Sequence, residues 1–176
     1  MLLWLLELEP LNKSIIDSKL YIVLLHVAFG VLMLNRDVSK FLNILLLFIG
    51  FMSILKSRNE NQEALIWAAY VVGSEVLFRM SKGLILYEFP KYMVFLFLIT
   101  GMIVEKKPHN VSPVFMFYIL LLLVGISFTN IPYDESIRTN VIFNLSGPIL
   151  LGMCALYMYN RTISIEILFN VLNLVM

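Results

Sequence analysis

The sequence predicts an all-α fold: a polytopic transmembrane helical bundle of about six spans followed by a terminal amphipathic helix. Three observations predict it. Of the 176 residues, 60% are apolar and 14% charged, against roughly 45–50% and about 25% in an ordinary soluble domain. Charges and prolines cut the chain into apolar runs close to membrane-crossing length. The last stretch, ISIEILFNVLNLVM, sets Glu166, Asn170 and Asn173 at helical spacing on one face and aliphatic residues on the other. A water-soluble chain of this size would leave about a third of its unfolded area facing solvent, so the excess Leu, Ile, Phe and Val is expected to face lipid.

A helix needs roughly 20 residues to cross about 30 Å of hydrocarbon, with ~17 as a practical minimum. Residues 20–34 (LYIVLLHVAFGVLML) are short, but Lys19 and Arg36 at the ends extend the span by snorkelling. Residues 41–55, between Lys40 and Lys56, follow after a loop too short for a domain, which predicts a helical hairpin. The polar stretch KSRNENQE separates this from a third span, 64–78, which carries Glu75 near its end. Within 84–104, Glu88, Pro90 and Lys91 interrupt the apolar run. Proline suits a first helical turn, so the fourth span is expected over 90–104. The preceding LILYEF then lies along the interface or dips into the protein. Residues 111–129 form a nineteen-residue span with Pro113 in its first turn, and 141–159 form a sixth, where Ser146, Gly147 and Pro148 invite a kink. Residues 1–176 read as a single transmembrane domain. A chain ending on Asn-Leu-Val-Met in mid-pattern is expected to be the front part of a longer protein.

Thirteen Lys and Arg against twelve Asp and Glu give a formal charge of +1, which argues against nucleic-acid binding. The single cysteine, Cys154, lies in an apolar run and builds neither a disulfide framework nor a thiolate metal site. The N-terminus has no basic region and no small-residue cleavage site, so targeting falls to the first membrane helix. Seven basic residues fall on one predicted membrane face (Lys13, Lys19, Lys56, Arg58, Lys106, Lys107, Arg161) and six on the other (Arg36, Lys40, Arg79, Lys82, Lys91, Arg138). The positive-inside rule therefore sets no orientation. If the N-terminus is cytoplasmic, the outer face keeps much positive charge, which points to an anionic substrate.

The segment GSEVLFRMSKG places Glu75 four residues before Arg79, the favourable order for a helical ion pair. Two readings stand side by side. Self-neutralisation is the common solution for charges near lipid. Alternatively, Arg79 and Lys82 contact an anion, since a guanidinium offers a planar fork matching phosphate and lysine a mobile point charge. Lys91 and Arg138 are expected on the same membrane face, so four cations would converge there. For Lys91 the competing role is snorkelling, and for Arg138 pairing with Asp134 or Glu135. Asn140, Asn144, Ser146, Gly147 and Pro148 bring polar groups to the membrane boundary. His26 reads as an interhelical hydrogen-bond partner and His109 as a solvated loop residue. Metal-ligand spacing, a phosphate loop and a nucleophile motif are all missing from the sequence. The four Asn-X-Ser/Thr matches carry little weight in so Asn-rich a chain.

The stretches AAYVVGSEVLFRMSKGLILYEFPKY and IRTNVIFNLSGP resemble the front half of bacterial O-antigen ligase and O-antigen polymerase membrane proteins, over about Asn59 to Arg161. That resemblance implies a multi-pass glycosyltransferase of the bacterial inner membrane. Such a protein takes a glycan from a polyprenyl pyrophosphate carrier without nucleotide sugar, metal or other cofactor. Arg138 with Phe143, Asn144 and Pro148 is similar to the family's arginine before a Phe-Asn-Pro-like stretch, although Leu-Ser-Gly intervenes. The implied partners are membrane lipid, a lipid-linked oligosaccharide and a C-terminal half carrying a large external loop. The implied substrate contacts are Arg79, Lys82, Lys91 and Arg138, with catalytic residues unassigned. From other classes, a transporter or flippase component and a membrane scaffold subunit remain alternatives.

Overall fold

The structure is a computed structural model and describes residues 24, 26–106, 110–129, 136 and 141–175. Arg138, Asn140, Lys107, His109 and most of residues 20–25 lie outside these. Every regular element among the described residues is helical. A first helix, α1, is described over residues 26–32. There follow α2 (Arg36–Ser57), α3 (Glu63–Met80), α4 (Phe89–Val104), α5 (Pro113–Ile126), α6 (Phe143–Met158) and α7 (Ile165–Val175).

The helix boundaries have local causes. Asn35, in extended backbone, caps α2 by accepting at Oδ1 from the amides of Asp37 (3.0 Å) and Val38 (3.4 Å). Asp37 in the first turn and Lys56 in the last complement the helix dipole. Arg58 in left-handed backbone (φ 53°) ends the helix. Pro90 and Pro113 occupy first-turn positions of α4 and α5, where no amide is needed, as expected from sequence. Of LILYEF, residues 84–88 are non-helical and Phe89 begins α4. Pro148 lies inside α6, which opens on a π turn at residues 141–142. The terminal helix α7 forms as anticipated, with Ser164 Oγ accepting from the Ile167 amide at 3.2 Å.

Successive helices run back and forth, so two ends of the bundle can be told apart. One holds the α1–α2 and α3–α4 connections and the start of α6. The other holds the α2–α3 and α4–α5 connections and the end of α6. The central helix α3 packs on α2, α4 and α7, while α4 also packs on α2 and α6, and α5 packs chiefly on α6. The core comprises Ile54, Val71, Phe78, Met93, Phe97 and Tyr157 with their neighbours. Close seams pass through small residues, as between apolar helices generally. A Cβ on Gly101 would sit 2.6 Å from Ala64 Cβ, and one on Gly152 2.8 Å from Ile119.

The core is apolar, yet α2 turns its small and polar residues inward and large apolar residues outward. The buried positions of α2 are Ser39, Asn43, Leu46, Gly50 and Ile54, a single stripe containing its small and polar residues. Phe41, Ile44, Phe48, Met52 and Leu55 face outward. In α5 no residue is buried, although the helix is apolar around its whole circumference.

Six spans are nevertheless not supported. Among the described residues α2 alone is both long and apolar enough to cross a membrane. The helices α4, α5 and α6 are apolar but hold 16, 14 and 16 residues. At 1.5 Å per residue, sixteen residues reach only about 24 Å. The nineteen-residue runs at 111–129 and 141–159 overstate their helices because residues at the run ends form caps and turns. Conversely 41–55 understates α2, whose first turn includes Asp37 and Lys40, an i,i+3 pair at 3.5 Å. The 18 residues of α3 include Glu63, Glu75 and Arg79.

Replacing Gly101 by Ala should force α3 and α4 apart and destabilise the fold by about 1–3 kcal/mol, the usual cost of overpacking. Thermal unfolding of the purified protein in detergent measures this. An unchanged midpoint would mean that the seam has room to spare.

Candidate functional site

The end formed by the α3–α4 connection gathers most of the residues singled out by sequence. Glu75 and Arg79 make the expected pair: Arg79 Nε and Nη2 both donate to Glu75 Oε1, at 2.9 and 2.5 Å. The guanidinium lies over the Tyr87 ring with its carbon 4.2 Å from the centroid, an attractive cation–π arrangement. This leaves Arg79 Nη1 as a buried atom without a hydrogen-bond partner. Lys82 is exposed, has left-handed backbone (φ 52°), and forms no ion pair among the described residues. Arg79, Lys82, Leu84 and Tyr87 line one recess of about 480 Å³.

Lys91 belongs to a neighbouring cluster. Its Nζ lies 2.5 Å from Glu88 Oε2 and donates to Ser146 Oγ at 3.1 Å, while Ser146 Oγ donates to Glu88 Oε2 at 3.2 Å. Glu88 is 3% exposed, a burial that a carboxylate tolerates only when paired. Lys91 and Ser146 also line an apolar recess of about 270 Å³ between α4 and α6, walled by Phe95, Leu145 and Ile149. Tyr87 and Phe143 bring the α3–α4 connection against the start of α6, their centroids 5.5 Å apart. Of the four expected cations, then, Arg79 and Lys82 share a recess and Lys91 is turned to Glu88. Arg138 lies outside the described residues. The sequence reading missed Glu88 as a partner, although its i,i+3 spacing to Lys91 around Pro90 carried the signal.

The opposite end is tied by a second network. Asn59, in left-handed backbone (φ 54°), donates from Nδ2 to Glu105 Oε1 (2.6 Å) and to the Tyr157 hydroxyl (2.9 Å). Its Oδ1 accepts from the Ala64 amide at 2.9 Å. Arg161 forks onto both oxygens of Glu105, with Nη2 to Oε2 at 2.8 Å, and donates from Nε to the Tyr157 carbonyl. Its guanidinium also covers the Tyr157 ring at 3.8 Å. Glu60 and Lys106 pair on the exposed rim at 2.5 Å. The hydrogen bond from Lys106, and then its charge, hold the Glu60 carboxyl below the usual carboxylate range. The pair therefore favours the fold above the ordinary glutamate pKa and loses that contribution as pH falls through the lowered value. Arg161, with its fork filled by Glu105, offers nothing to a ligand, so this end is a structural knot.

Cys154 is partly buried and free, and no cluster of three or more metal-ligating side chains occurs among the described residues. His26 stands edge-on to Tyr70 at 6.0 Å between centroids, an interhelical ring contact. Comparison with protein-family models, curated proteins and solved structures finds no match for this chain.

The one-sided bond between Glu75 and Arg79 generates a prediction. Glu75→Gln alone leaves a cation facing poor solvent and should reduce folded yield more than Glu75→Gln combined with Arg79→Gln, with a coupling of roughly 0.5–3 kcal/mol. Equal losses in the single and double variants, measured as monodisperse protein from membranes, would remove the pairing.

Proposed function

We propose that this chain is the N-terminal membrane portion of an O-antigen ligase- or polymerase-like glycosyltransferase of the bacterial inner membrane. In this reading Arg79 and Lys82, together with Lys91 and Arg138, hold the pyrophosphate of a polyprenyl-linked glycan. The observation that carries it is the recess at the α3–α4 connection. It sets an exposed ammonium, without an ion pair among the described residues, beside a guanidinium that keeps one buried nitrogen without a partner. Membrane placement is supported by the buried polar stripe of α2 and by the apolar surface that α2 and α5 turn outward. Apolar helices of 14 to 16 residues fit a bilayer through local thinning and snorkelling of flanking residues.

The chemistry this implies is displacement at the anomeric carbon. An acceptor hydroxyl attacks and gives up its proton to the departing pyrophosphate or to water, while the bond from that carbon to the pyrophosphate oxygen breaks and the electron pair leaves with the pyrophosphate. Preplaced cations stabilise the charge that develops on the leaving group. Glu75 has an opposing effect, since an anion reaching Arg79 meets a guanidinium already half engaged. With Arg79 Nη1 buried and its other two nitrogens on Glu75, the exposed Lys82 is the first contact.

A second reading has support of its own. The matched pairs Glu75–Arg79 and Glu88–Lys91 neutralise two of the expected cations, as a scaffold or transporter subunit would require for packing alone.

In the complete protein, Arg79→Lys and Lys82→Ala should each lower glycan transfer in cells roughly ten- to a hundredfold at matched membrane abundance. A charge-assisted hydrogen bond is worth about 1.5–3 kcal/mol. Arg138→Lys should do the same despite its retained charge. Wild-type transfer by all three variants would put the scaffold reading ahead.

A further inference from the structure

Two buried polar residues on α2 have no part in the recess, yet both grip the loop that forms it. Ser39 and Asn43 are each 0% exposed, one helical turn apart on the inner stripe of α2. Ser39 Oγ lies 2.8 Å from Ser81 Oγ, and Asn43 Nδ2 donates to the Gly83 carbonyl at 3.1 Å. Lys82 lies between these two anchors, in left-handed backbone that lysine rarely adopts. Gly83 is buried directly on Ser39. A Cβ there would fall 1.8 Å from Ser39 Oγ and 2.4 Å from Ser39 Cβ, an overlap that only glycine avoids.

An apolar helix gains little from buried polar groups unless they fix something. What these two fix is the backbone on both sides of Lys82. With residues 81 and 83 pinned to α2, the Lys82 side chain is directed into the recess beside Arg79, the last basic residue of α3.

We propose that Ser39, Asn43 and Gly83 are positioning residues for an anion site. They clamp the α3–α4 connection onto α2 so that Lys82 and Arg79 present their charges to one diphosphate group. This rests on the reading of the recess as a pyrophosphate grip, and it adds the residues that set its geometry without touching the ligand. Loosening the clamp leaves both cations in place but separates them, so affinity falls while charge is conserved.

The test uses the whole chain purified in detergent, with inorganic pyrophosphate as probe. Affinity is read by calorimetry, and protection of Lys82 from an amine-reactive reagent is mapped by mass spectrometry. Lys82→Ala should weaken binding about tenfold or more. Asn43→Ala, which frees the Gly83 carbonyl, should weaken it several-fold with secondary structure intact. Gly83→Ala should weaken it at least tenfold and abolish protection of Lys82 by pyrophosphate. Ser39→Gly combined with Gly83→Ala removes the hydroxyl and Cβ that the new methyl would strike while keeping the Asn43 anchor, and should recover part of the loss. Loss of affinity and of Lys82 protection in Asn43→Ala and Gly83→Ala at unchanged secondary structure and thermal midpoint is the result a merely destabilised fold would not produce. The double variant decides the matter if Gly83→Ala alone fails to fold.

Failure of the wild type to bind pyrophosphate, or wild-type affinity in Lys82→Ala, would overturn the pyrophosphate reading and the clamp with it. Binding lost in Lys82→Ala but retained in both Asn43→Ala and Gly83→Ala would overturn the clamp alone. So would a double variant that folds and binds no better than Gly83→Ala.

Discussion

Polar groups on the inner faces of these helices must find their partners inside the bundle, and that requirement organises the fold. If the outward apolar surface faces lipid, as proposed, it provides no strong drive for one helix to choose another, because lipid tails are as apolar as leucine. Selectivity has to come from close small-residue seams and from hydrogen bonds between helices. Both occur here. Asn43 joins α2 to the α3–α4 connection, Asn59 joins the start of α3 to the ends of α4 and α6, and Ser146 joins α6 to Glu88 and Lys91. Each such bond contributes only about 0.6 kcal/mol on average in a membrane protein. Their value lies in excluding other registers, since sliding a helix by one turn would leave several buried donors and acceptors unpaired.

The two polar ends meet this requirement in different ways. Around Arg161 each guanidinium nitrogen donates a bond and the group is sealed between Glu105 and Tyr157, so the ends of α4 and α6 cannot separate without exposing an unpaired charge, although Gln62 Oε1 nearby is buried without a partner. Around Arg79 the satisfaction is incomplete. Glu75 takes two donors through one oxygen, Nη1 is left over, and Lys82 has no carboxylate among the described residues. Natural folds tolerate incomplete satisfaction chiefly where function uses it, which is why the functional reading belongs to this end.

Local features of this architecture were readable from the sequence, and long-range ones were not. Pro90 and Pro113 announced the starts of α4 and α5 because a proline constrains its own first turn. Glu75 and Arg79 share one helix face at i,i+4 spacing, which needs no knowledge of the neighbours. The bond between Glu105 and Arg161 spans 56 residues and depends on α4 and α6 ending side by side. An unpaired-looking arginine after a span was the only trace of it. Asn43, in the middle of FLNILLL, was visible as a polar intruder, but its partner is a backbone carbonyl that no side-chain pattern encodes. Span lengths were misjudged for a related reason. Hydropathy reports where apolar residues stop, while the helix stops where backbone hydrogen bonding does, as at Ser127 and Tyr159.

The position of α5 bears on how this chain can change over evolutionary time. Its contacts run chiefly to α6, with Gly152 admitting Tyr118 and Ile119 at close range, and it contributes no buried residue. A segment constrained only by apolarity and one glycine seam accepts almost any exchange among Leu, Ile, Val, Phe and Met. Its residues are therefore free to drift while Ser39, Asn43, Asn59 and Gly83 are held. In a lineage of such proteins α5 would diverge fastest, and recognisable similarity would survive as short polar signatures scattered through interchangeable hydrocarbon.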